Sequence, residues 1–337
     1  MLAEKRRRLA SATAILLAFL LLLLACYLST GPAEVGLADA ARAVLGLSSS
    51  REAEAIVLYI RLPRALGAAV VGVSLAVAGA VMQALLRNPL VDPFITGVSS
   101  GAAFGACLAM LAVEPSSLLL FYTPALAGFL GGLLAFSITM LLSRAAGESP
   151  LAMVLAGVAV SIAFSSLTTL VATRWSSKLH GVLFWVFGSL SLVSWRILVL
   201  LAPPSLALSV ISLLYARELN IMLMGDEQAR QLGVEATSFR RLMMAVVALL
   251  TGVCVSFTGV IGFIGLVVPH SVRMLLGGDH RVLLPASALA GASTLLTADL
   301  AARTLAQPAE LPVGVVTSLL GAPFFMYLLA KWGRRYG

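Results

Sequence analysis

Nine long stretches of this chain carry no charged residue, and they constrain its possible folds more than any other feature. Most of them have the length of one helix that crosses a hydrocarbon layer about 30 Å thick. They predict an all-α membrane protein, a polytopic bundle of transmembrane helices. The stretches without Asp, Glu, Lys or Arg are Leu9–Ala33, Ala65–Leu86, Pro93–Val113, Pro115–Ser143, Ser149–Thr173, Ile197–Ala216, Leu242–Ser271, Val282–Ala298 and Leu311–Ala330.

Composition excludes the other broad classes of protein. Hydrophobic residues make up 60% of the 337 positions and charged residues 11%, whereas about 25% of an ordinary soluble domain is charged. A water-soluble globular fold and intrinsic disorder are therefore excluded. The cysteines Cys26, Cys107 and Cys254 lie within apolar runs and are odd in number, which argues against a secreted disulfide framework.

Charge distribution predicts ten spans in the cell (inner or plasma) membrane, with both termini cytoplasmic. Leu242–Ser271 is too long for one span, and its glycines at Gly259–Gly265, followed by Pro269, predict a break between two helices. The basic clusters at Lys5–Arg8 and Lys331–Arg335 both belong on the cytoplasmic side. Two ends on one side require an even number of spans.

Motifs for catalysis and metal binding are missing from the sequence. None of the three lysines follows a glycine, so the chain has no phosphate-binding loop and no ATPase site of its own. The histidines His180, His270 and His280 lack metal-ligand spacing, and no Gly-x-Ser-x-Gly elbow is present. We therefore expect no catalytic residue, no bound metal and no enzyme activity.

The predicted spans also hold few ionisable groups. Ion-coupled carriers usually keep such groups at mid-membrane depth, because these groups bind the coupling ion. Asp299 is the deepest carboxylate and lies one turn before Arg303, with which it can pair. This pattern favours a channel or a permease driven by a separate motor protein. An ion-coupled secondary transporter of small solutes is the alternative, and an integral-membrane enzyme is a weaker one.

The longest interior polar segment, at about 217–241, is assigned to the cytoplasm. Within it, Gly225–Gly233 predicts a short helix that Gly233 ends in the left-handed conformation. Asp226 and Glu227 in the first turn and Arg230 near the last complement the helix dipole. The segment is interpreted either as a connecting helix or as a knob that docks on a soluble partner, with Ala229 and Leu232 forming a small apolar spot.

A stripe of small residues predicts close helix packing. Gly97, Gly101 and Gly105 repeat at four-residue spacing and so share one helix face, which lets a neighbouring helix approach closely. The stripe fits packing within one subunit, and it also fits a pore or a subunit interface.

Several short sequences, in order along nearly the whole chain, resemble the permease family of ABC importers for iron–siderophore complexes, haem and vitamin B12. Each is weak alone, and together they are specific. They are Arg61-Leu-Pro-Arg64, Gly79-Ala-Val-Met-Gln-Ala-Leu-Leu-Arg-Asn-Pro-Leu90, Gly97-Val-Ser-Ser-Gly-Ala102, Leu155-Ala-Gly157, Trp185-Val-Phe-Gly-Ser-Leu190, Ala229-Arg-Gln-Leu-Gly233, Gly262-Phe-Ile-Gly-Leu-Val-Val-Pro-His270, Glu310-Leu-Pro-Val-Gly314 and Gly321-Ala-Pro323.

This resemblance implies a type II ABC importer permease, with residues 1–337 forming one transmembrane domain. It implies a homodimer with one translocation path between the two copies, two cytoplasmic ATPases that bind ATP and Mg²⁺, and an extracytoplasmic substrate-binding protein. The implied partners thus include the lipid bilayer and no nucleic acid, and this chain itself holds no cofactor. The resemblance implies that the ligand is an iron chelate or cobalamin, with iron–siderophore as first choice and haem and cobalamin close behind.

The resemblance also assigns roles to individual residues. Arg61, Arg64 and Arg303 match outer arginines that pair with glutamates of the binding protein. Asn88 and Leu90 match the cytoplasmic gate. Gly225–Gly233, called the coupling segment below, matches the helix that fits a cleft on the ATPase; its assigned residues are Gly225, Asp226, Glu227, Gln228, Ala229, Arg230, Leu232 and Gly233.

Overall fold

The computed structural model describes residues 2–31, 33, 35–47, 50–112, 122–174, 185–307 and 309–336. Across these ranges the long regular elements are α-helices. In chain order they are α1 Leu2–Ser29, α2 Leu37–Val44, α3 Arg51–Leu85, α4 Val98–Ala112, α5 Thr123–Ala145, α6 Pro150–Arg174, α7 Trp195–Leu214, α8 Ala216–Met222, α9 Asp226–Gln231, α10 Ala236–Thr258, α11 Ile264–Leu276, α12 His280–Thr304 and α13 Val313–Tyr336.

The apolar helices follow the charge-free stretches of the sequence. Six of them, α3, α5, α6, α7, α10 and α12, are long and apolar enough to cross a membrane. Shorter apolar helices lie within α1, α4, α11 and α13. Together they match the ten predicted spans, and the all-α polytopic architecture is confirmed.

The predicted break in the long apolar stretch is confirmed. α10 ends at Thr258 and α11 begins at Ile264. Gly259 and Phe263, at φ 69° and 68°, turn the chain in the left-handed region. α11 has 13 residues and is therefore about 20 Å long, shorter than a hydrocarbon core of about 30 Å. The break consequently lies within the depth of the membrane.

Three backbone segments, made of helix ends and the turns next to them, meet at this break. The N–H of Ser189 donates to the carbonyl of Thr258 at 2.8 Å, and the N–H of Gly314 donates to the carbonyl of Gly188 at 3.5 Å. A Cβ on Gly259 would lie only 3.0 Å from the Cα of Gly188, so the approach requires glycine. Non-helical backbone is tolerated inside a membrane only where protein surrounds it. The backbone joint, as we call this contact, comprises residues 185–189, 258–263 and 312–314.

α3 is the central helix of the subunit. In its most apolar window 78% of the residues are buried, against 22% for α5 and 33% for α6 and α7. It packs on α7, α10, α11 and α12. The poorly covered apolar faces of α5, α6 and α7 suit contact with lipid tails or another subunit.

Close contacts of α3 are made through glycine. A Cβ on Gly72 would lie 2.7 Å from the carbonyl carbon of Gly291 on α12, and a Cβ on Gly79 would lie 2.7 Å from the Cα of Gly265 on α11. Small residues let helix backbones approach this closely where no hydrophobic effect drives helices together. These two contacts fix α3 between α11 and α12.

The glycines of the predicted stripe have two different structural roles. Gly101 packs on Gly131, and Gly105 on Ala127, with their backbones in contact across α4 and α5 of the same subunit. Gly97 instead has a φ of 84° and ends the 3₁₀ turn Pro93–Thr96 that precedes α4. The first two residues therefore pack helices within one subunit, and Gly97 shapes a turn.

Candidate functional site

Arg61 and Arg64 lie on α3 next to a local change of helix type. Residues Ile56–Arg61 form a π-helical segment, which ends two residues before Pro63. Proline has no N–H to donate, and its ring crowds the preceding turn. In a π-helix the carbonyl of one residue accepts from the N–H five residues later, so the partner of the Leu58 carbonyl would be Pro63, which has no N–H. The indole N–H of Trp195 donates to this carbonyl instead, at 2.7 Å. Such segments frequently mark functional positions.

All three predicted docking arginines contact α1 or the carboxylates beside it. Arg61 donates to the carbonyls of Leu28 at 2.7 Å and Ala33 at 2.6 Å. Arg303, in the last turn of α12, donates to the carbonyl of Tyr27 at 2.6 Å. Its guanidinium also lies 3.8 Å from the centroid of the Tyr27 ring, a favourable cation–π geometry. The structure thus brings the three residues into one place.

Arg64 joins two carboxylates from the other end of the chain. Its Nε and Nη2 donate to Asp299 at 2.8 and 2.9 Å, and its Nη1 donates to Glu310 at 2.9 and 3.1 Å. The Tyr27 hydroxyl also donates to Asp299. Paired contacts of this kind are among the stronger hydrogen bonds in proteins. The outer cluster, as we call it, comprises Tyr27, Arg61, Arg64, Asp299, Arg303 and Glu310.

The outer cluster is buried in the subunit. Arg61, Arg64 and Arg303 are 2%, 7% and 4% exposed, and Asp299 is fully buried, while the side chain of Glu310 is 38% exposed. The guanidinium groups are therefore occupied inside the protein. The predicted ion pair between Asp299 and Arg303 does not form. Asp299 pairs with Arg64, because α3 packs directly on α12.

The predicted gate residues lie on the loop that follows α3, residues 86–92, called the gate loop below. Asn88 is exposed and Leu90 half-buried. The side-chain oxygen of Asn88 accepts from the N–H of Leu90 at 2.9 Å, and its own N–H donates to the carbonyl of Gln83 at 3.1 Å. Asn88 therefore shapes the turn, and Arg87 before it adopts a left-handed φ of 50°.

The coupling segment contains the predicted short helix. α9 spans Asp226–Gln231, and Gly233 follows at a φ of 83°. The N–H of Val234 donates to the carbonyl of Ala229 at 2.9 Å, and that of Gly233 to the carbonyl of Arg230 at 3.1 Å. This is the Schellman arrangement that ends helices at glycine.

The predicted apolar spot of Ala229 and Leu232 is wrong. Ala229 is fully buried in the core of the subunit, whereas Leu232 is 53% exposed. Ala229 lies within α9 and faces the core, whereas Leu232 follows the last turn of α9 and faces outward. Leu232 alone presents an apolar surface there. The neighbouring Glu227, Gln228 and Arg230 are exposed.

Sequence reasoning missed two ion-paired clusters around the coupling segment and the loop between α5 and α6. Asp226 accepts from Arg240 at 2.7 Å and lies 3.3 Å from Arg87 of the gate loop. Glu148, on the loop between α5 and α6, accepts from Arg241 at 2.6 Å. The sequence signal for these pairs is that few carboxylates lie among the many arginines predicted to be cytoplasmic, so each carboxylate has several possible arginine partners.

Cysteine and metal-ligand groups add no further site in the described ranges. Cys107 and Cys254 are buried, and Cys26 is exposed, each as a free thiol. Among the residues described, no three His, Cys, Asp or Glu side chains are grouped so as to hold a metal ion.

Comparison with known proteins places this geometry in a family. The model of the FecCD transport family matches residues 16–331. The haemin transport system permease HmuU of Yersinia pestis is 42% identical over 322 residues, covering 94% of this chain and 96% of that protein. The cobalamin import system permease BtuC of Halobacterium salinarum is 44% identical over 278 residues, 82% of this chain and 74% of that protein.

The fold is shared as well. A solved ABC transporter assigned to the metal-chelate type, in an inward-facing conformation, superposes with a TM-score of 0.85 at 32% identity. The match covers 96% of this chain and 99% of the other. Sequence and fold agree over nearly the whole length. The chain therefore belongs to the FecCD transport family and is a membrane permease subunit of an ABC importer.

Proposed function

We propose that two copies of this chain form the translocation path of an importer, with two cytoplasmic ATPases and an extracytoplasmic binding protein. The observation that carries the proposal is the agreement in sequence and fold with importer permeases over nearly the whole chain. Residues 1–337 act as one transmembrane domain with both termini in the cytoplasm, because basic clusters flank the first and last spans. ATP and Mg²⁺ are held by the ATPases.

The substrate of the proposed importer is a metal chelate. The haemin permease matches 94% of this chain, and the cobalamin permease matches 82% of it at similar identity. We therefore propose haem as the substrate, ahead of ferric siderophores and cobalamin. The binding protein selects the ligand, and the permease has to pass a large rigid complex.

The experiment is uptake into liposomes that contain this chain with its ATPase, supplied with the binding protein. Haem, a ferric siderophore and cobalamin are offered in turn. We expect ATP-dependent accumulation of haem, and accumulation of another of the three would change the substrate but not the transport class. Uptake that needs only an ion gradient, with no ATPase present, would overturn the proposal in favour of a secondary transporter.

The coupling segment is proposed to dock on the ATPase through Leu232. Leu232→Asp is expected to lower uptake per ATP hydrolysed roughly tenfold, since burying a leucine side chain contributes about 1.5–3 kcal/mol. Leu232→Met is the matched control, because it keeps an apolar side chain of similar volume. The ratio of uptake to hydrolysis in liposomes is the measurement, and a normal ratio in the aspartate variant would contradict this role.

The outer cluster and the gate loop have proposed roles as well. We propose that the binding protein docks at the mouth of the subunit around Arg61, Arg64 and Arg303. Since these guanidinium groups already have internal partners, a docking glutamate has to exchange with one of them. Glu310 is the most exposed of these partners. Asn88 and Leu90 are proposed to form the cytoplasmic gate of the path.

A further inference from the structure

Asp226 lies between two arginines that belong to different parts of the subunit. Arg240, on α10, donates from Nη2 to both carboxylate oxygens of Asp226 at 2.7 Å. Arg87, on the gate loop, places its Nη2 3.3 Å from Oδ1 of the same carboxylate. Arg240 is nearly buried, while Asp226 and Arg87 are partly exposed. Asp226, the first residue of α9, therefore contacts the helix-bound Arg240 on one side and Arg87 of the gate loop on the other.

The backbone has a positive φ at both ends of this contact, at Arg87 and at Gly225. Arg87 has a φ of 50°, a left-handed conformation that non-glycine residues seldom adopt. Gly225, directly before α9, has a φ of 111°, and a Cβ there would lie 3.4 Å from Nη1 of Arg87. The gate loop and the start of the coupling segment are thus in close approach.

The charge of Asp226 suits the same arrangement. Burial raises the pKa of its carboxyl group, but the hydrogen bond from Arg240 and the charges of Arg240 and Arg87 lower the pKa by more, so the net direction is downward. The carboxylate stays ionised at neutral pH. Glu227, the next residue, is exposed and carries the same charge away from this contact.

We propose that Asp226 is a positioning residue that ties the coupling segment to the gate loop through Arg87, so that movement of the one displaces the other. Arg240 anchors the carboxylate to α10 and leaves Arg87 as the link that transmits movement. The inference rests on the proposed roles of the coupling segment and the gate loop. It gives those two regions a direct physical connection within one subunit.

The test uses the complete transporter in liposomes, with its ATPase and binding protein. We expect Asp226→Asn and Arg87→Gln each to lower uptake per ATP about threefold, the size expected for a partly exposed ion pair. The double variant is expected to be no worse than either single one, since the two residues act through one contact. Arg87→Lys should keep most of the coupling. Asp39→Asn, which neutralises an exposed aspartate that pairs with Arg42 on α2, should match the wild type.

Additive losses in the double variant, or equal losses in Asp39→Asn and Asp226→Asn, would overturn the proposal. Thermal unfolding of each variant shows whether a loss reflects folding. If Asp226→Asn does not assemble, the comparison of Arg87→Gln with Arg87→Lys decides alone, and equal coupling in those two would reject the link. If this test fails but Leu232→Asp still uncouples transport, the proposed ATPase contact stands. Only the proposed link from the coupling segment to the gate loop is then rejected.

Discussion

Gly79→Ala is expected to destabilise the subunit strongly. A Cβ at this position would overlap the carbonyl oxygen of Gly265 and lie 2.5 Å from its carbonyl carbon. Both obstacles are backbone atoms of α11, so no side-chain rotation can relieve the contact. Forcing extra volume into a packed core commonly costs about 1–3 kcal/mol, and we expect the upper end here because α3 is the central helix. The measurement is the thermal unfolding midpoint of purified protein in detergent.

Gly262→Ala provides the matched control. It is the same change on the segment that precedes α11, and a Cβ at Gly262 would meet no atom within 4 Å. We expect an unfolding midpoint close to that of the wild type. Equal midpoints for the Gly79 and Gly262 variants would show that α3 and α11 are not held by this contact.

Arg64→Met is expected to be the most destabilising single change in the outer cluster. It would leave the carboxylate of Asp299 fully buried without its bidentate partner. Breaking a buried ion pair by removing one partner typically costs about 3–5 kcal/mol, whereas replacing both partners by apolar residues is often close to neutral. The double variant Arg64→Met/Asp299→Leu should therefore recover much of the loss. Thermal unfolding of the three proteins measures it.

Arg42→Met is the control for loss of an arginine as such. Arg42 pairs with Asp39 at 3.6 Å on the exposed helix α2, and exposed pairs contribute little to stability. We expect its unfolding midpoint to stay near that of the wild type. A midpoint for Arg64→Met as high as that of Arg42→Met would mean that the buried pair does not stabilise the fold.

This burial changes how docking can be tested. Reversal of Arg61 and Arg64 to glutamate would weaken association with the binding protein if these arginines dock it. In the structure the reversal also sets a glutamate against Asp299 and Glu310. Weaker association therefore counts as docking only in a variant that still unfolds at the normal temperature and still assembles with its ATPase.

Local sequence was sufficient for the features that depend on local physics. The nine charge-free stretches correspond to ten apolar helices, because the glycines after Thr258 divide one stretch into α10 and α11. Gly233 correctly predicted the end of α9. Helix length, left-handed glycine and hydrophobicity are properties of short segments. They can be predicted without knowing which segments meet.

Features that depend on which segments meet could not be predicted in this way. Asp299 pairs with Arg64, 235 positions away, and not with its helix neighbour Arg303, because the packing of α3 on α12 selects the partner. Ala229 turns inward because α9 packs on α10. The link from Asp226 to Arg87 likewise needs the gate loop and the coupling segment to be side by side.

The backbone joint restricts how the subunit can move. Each of its three segments supplies peptide groups near or paired with those of the others, and an unpaired peptide group in hydrocarbon costs several kcal/mol. The end of α10 therefore cannot swing away from the turn at 185–189, and that turn cannot leave the start of α13. Any movement of this region during a transport cycle must carry the three segments together. Bending of α11 is left to the end far from the joint, where Gly277 ends the helix at a φ of 94°.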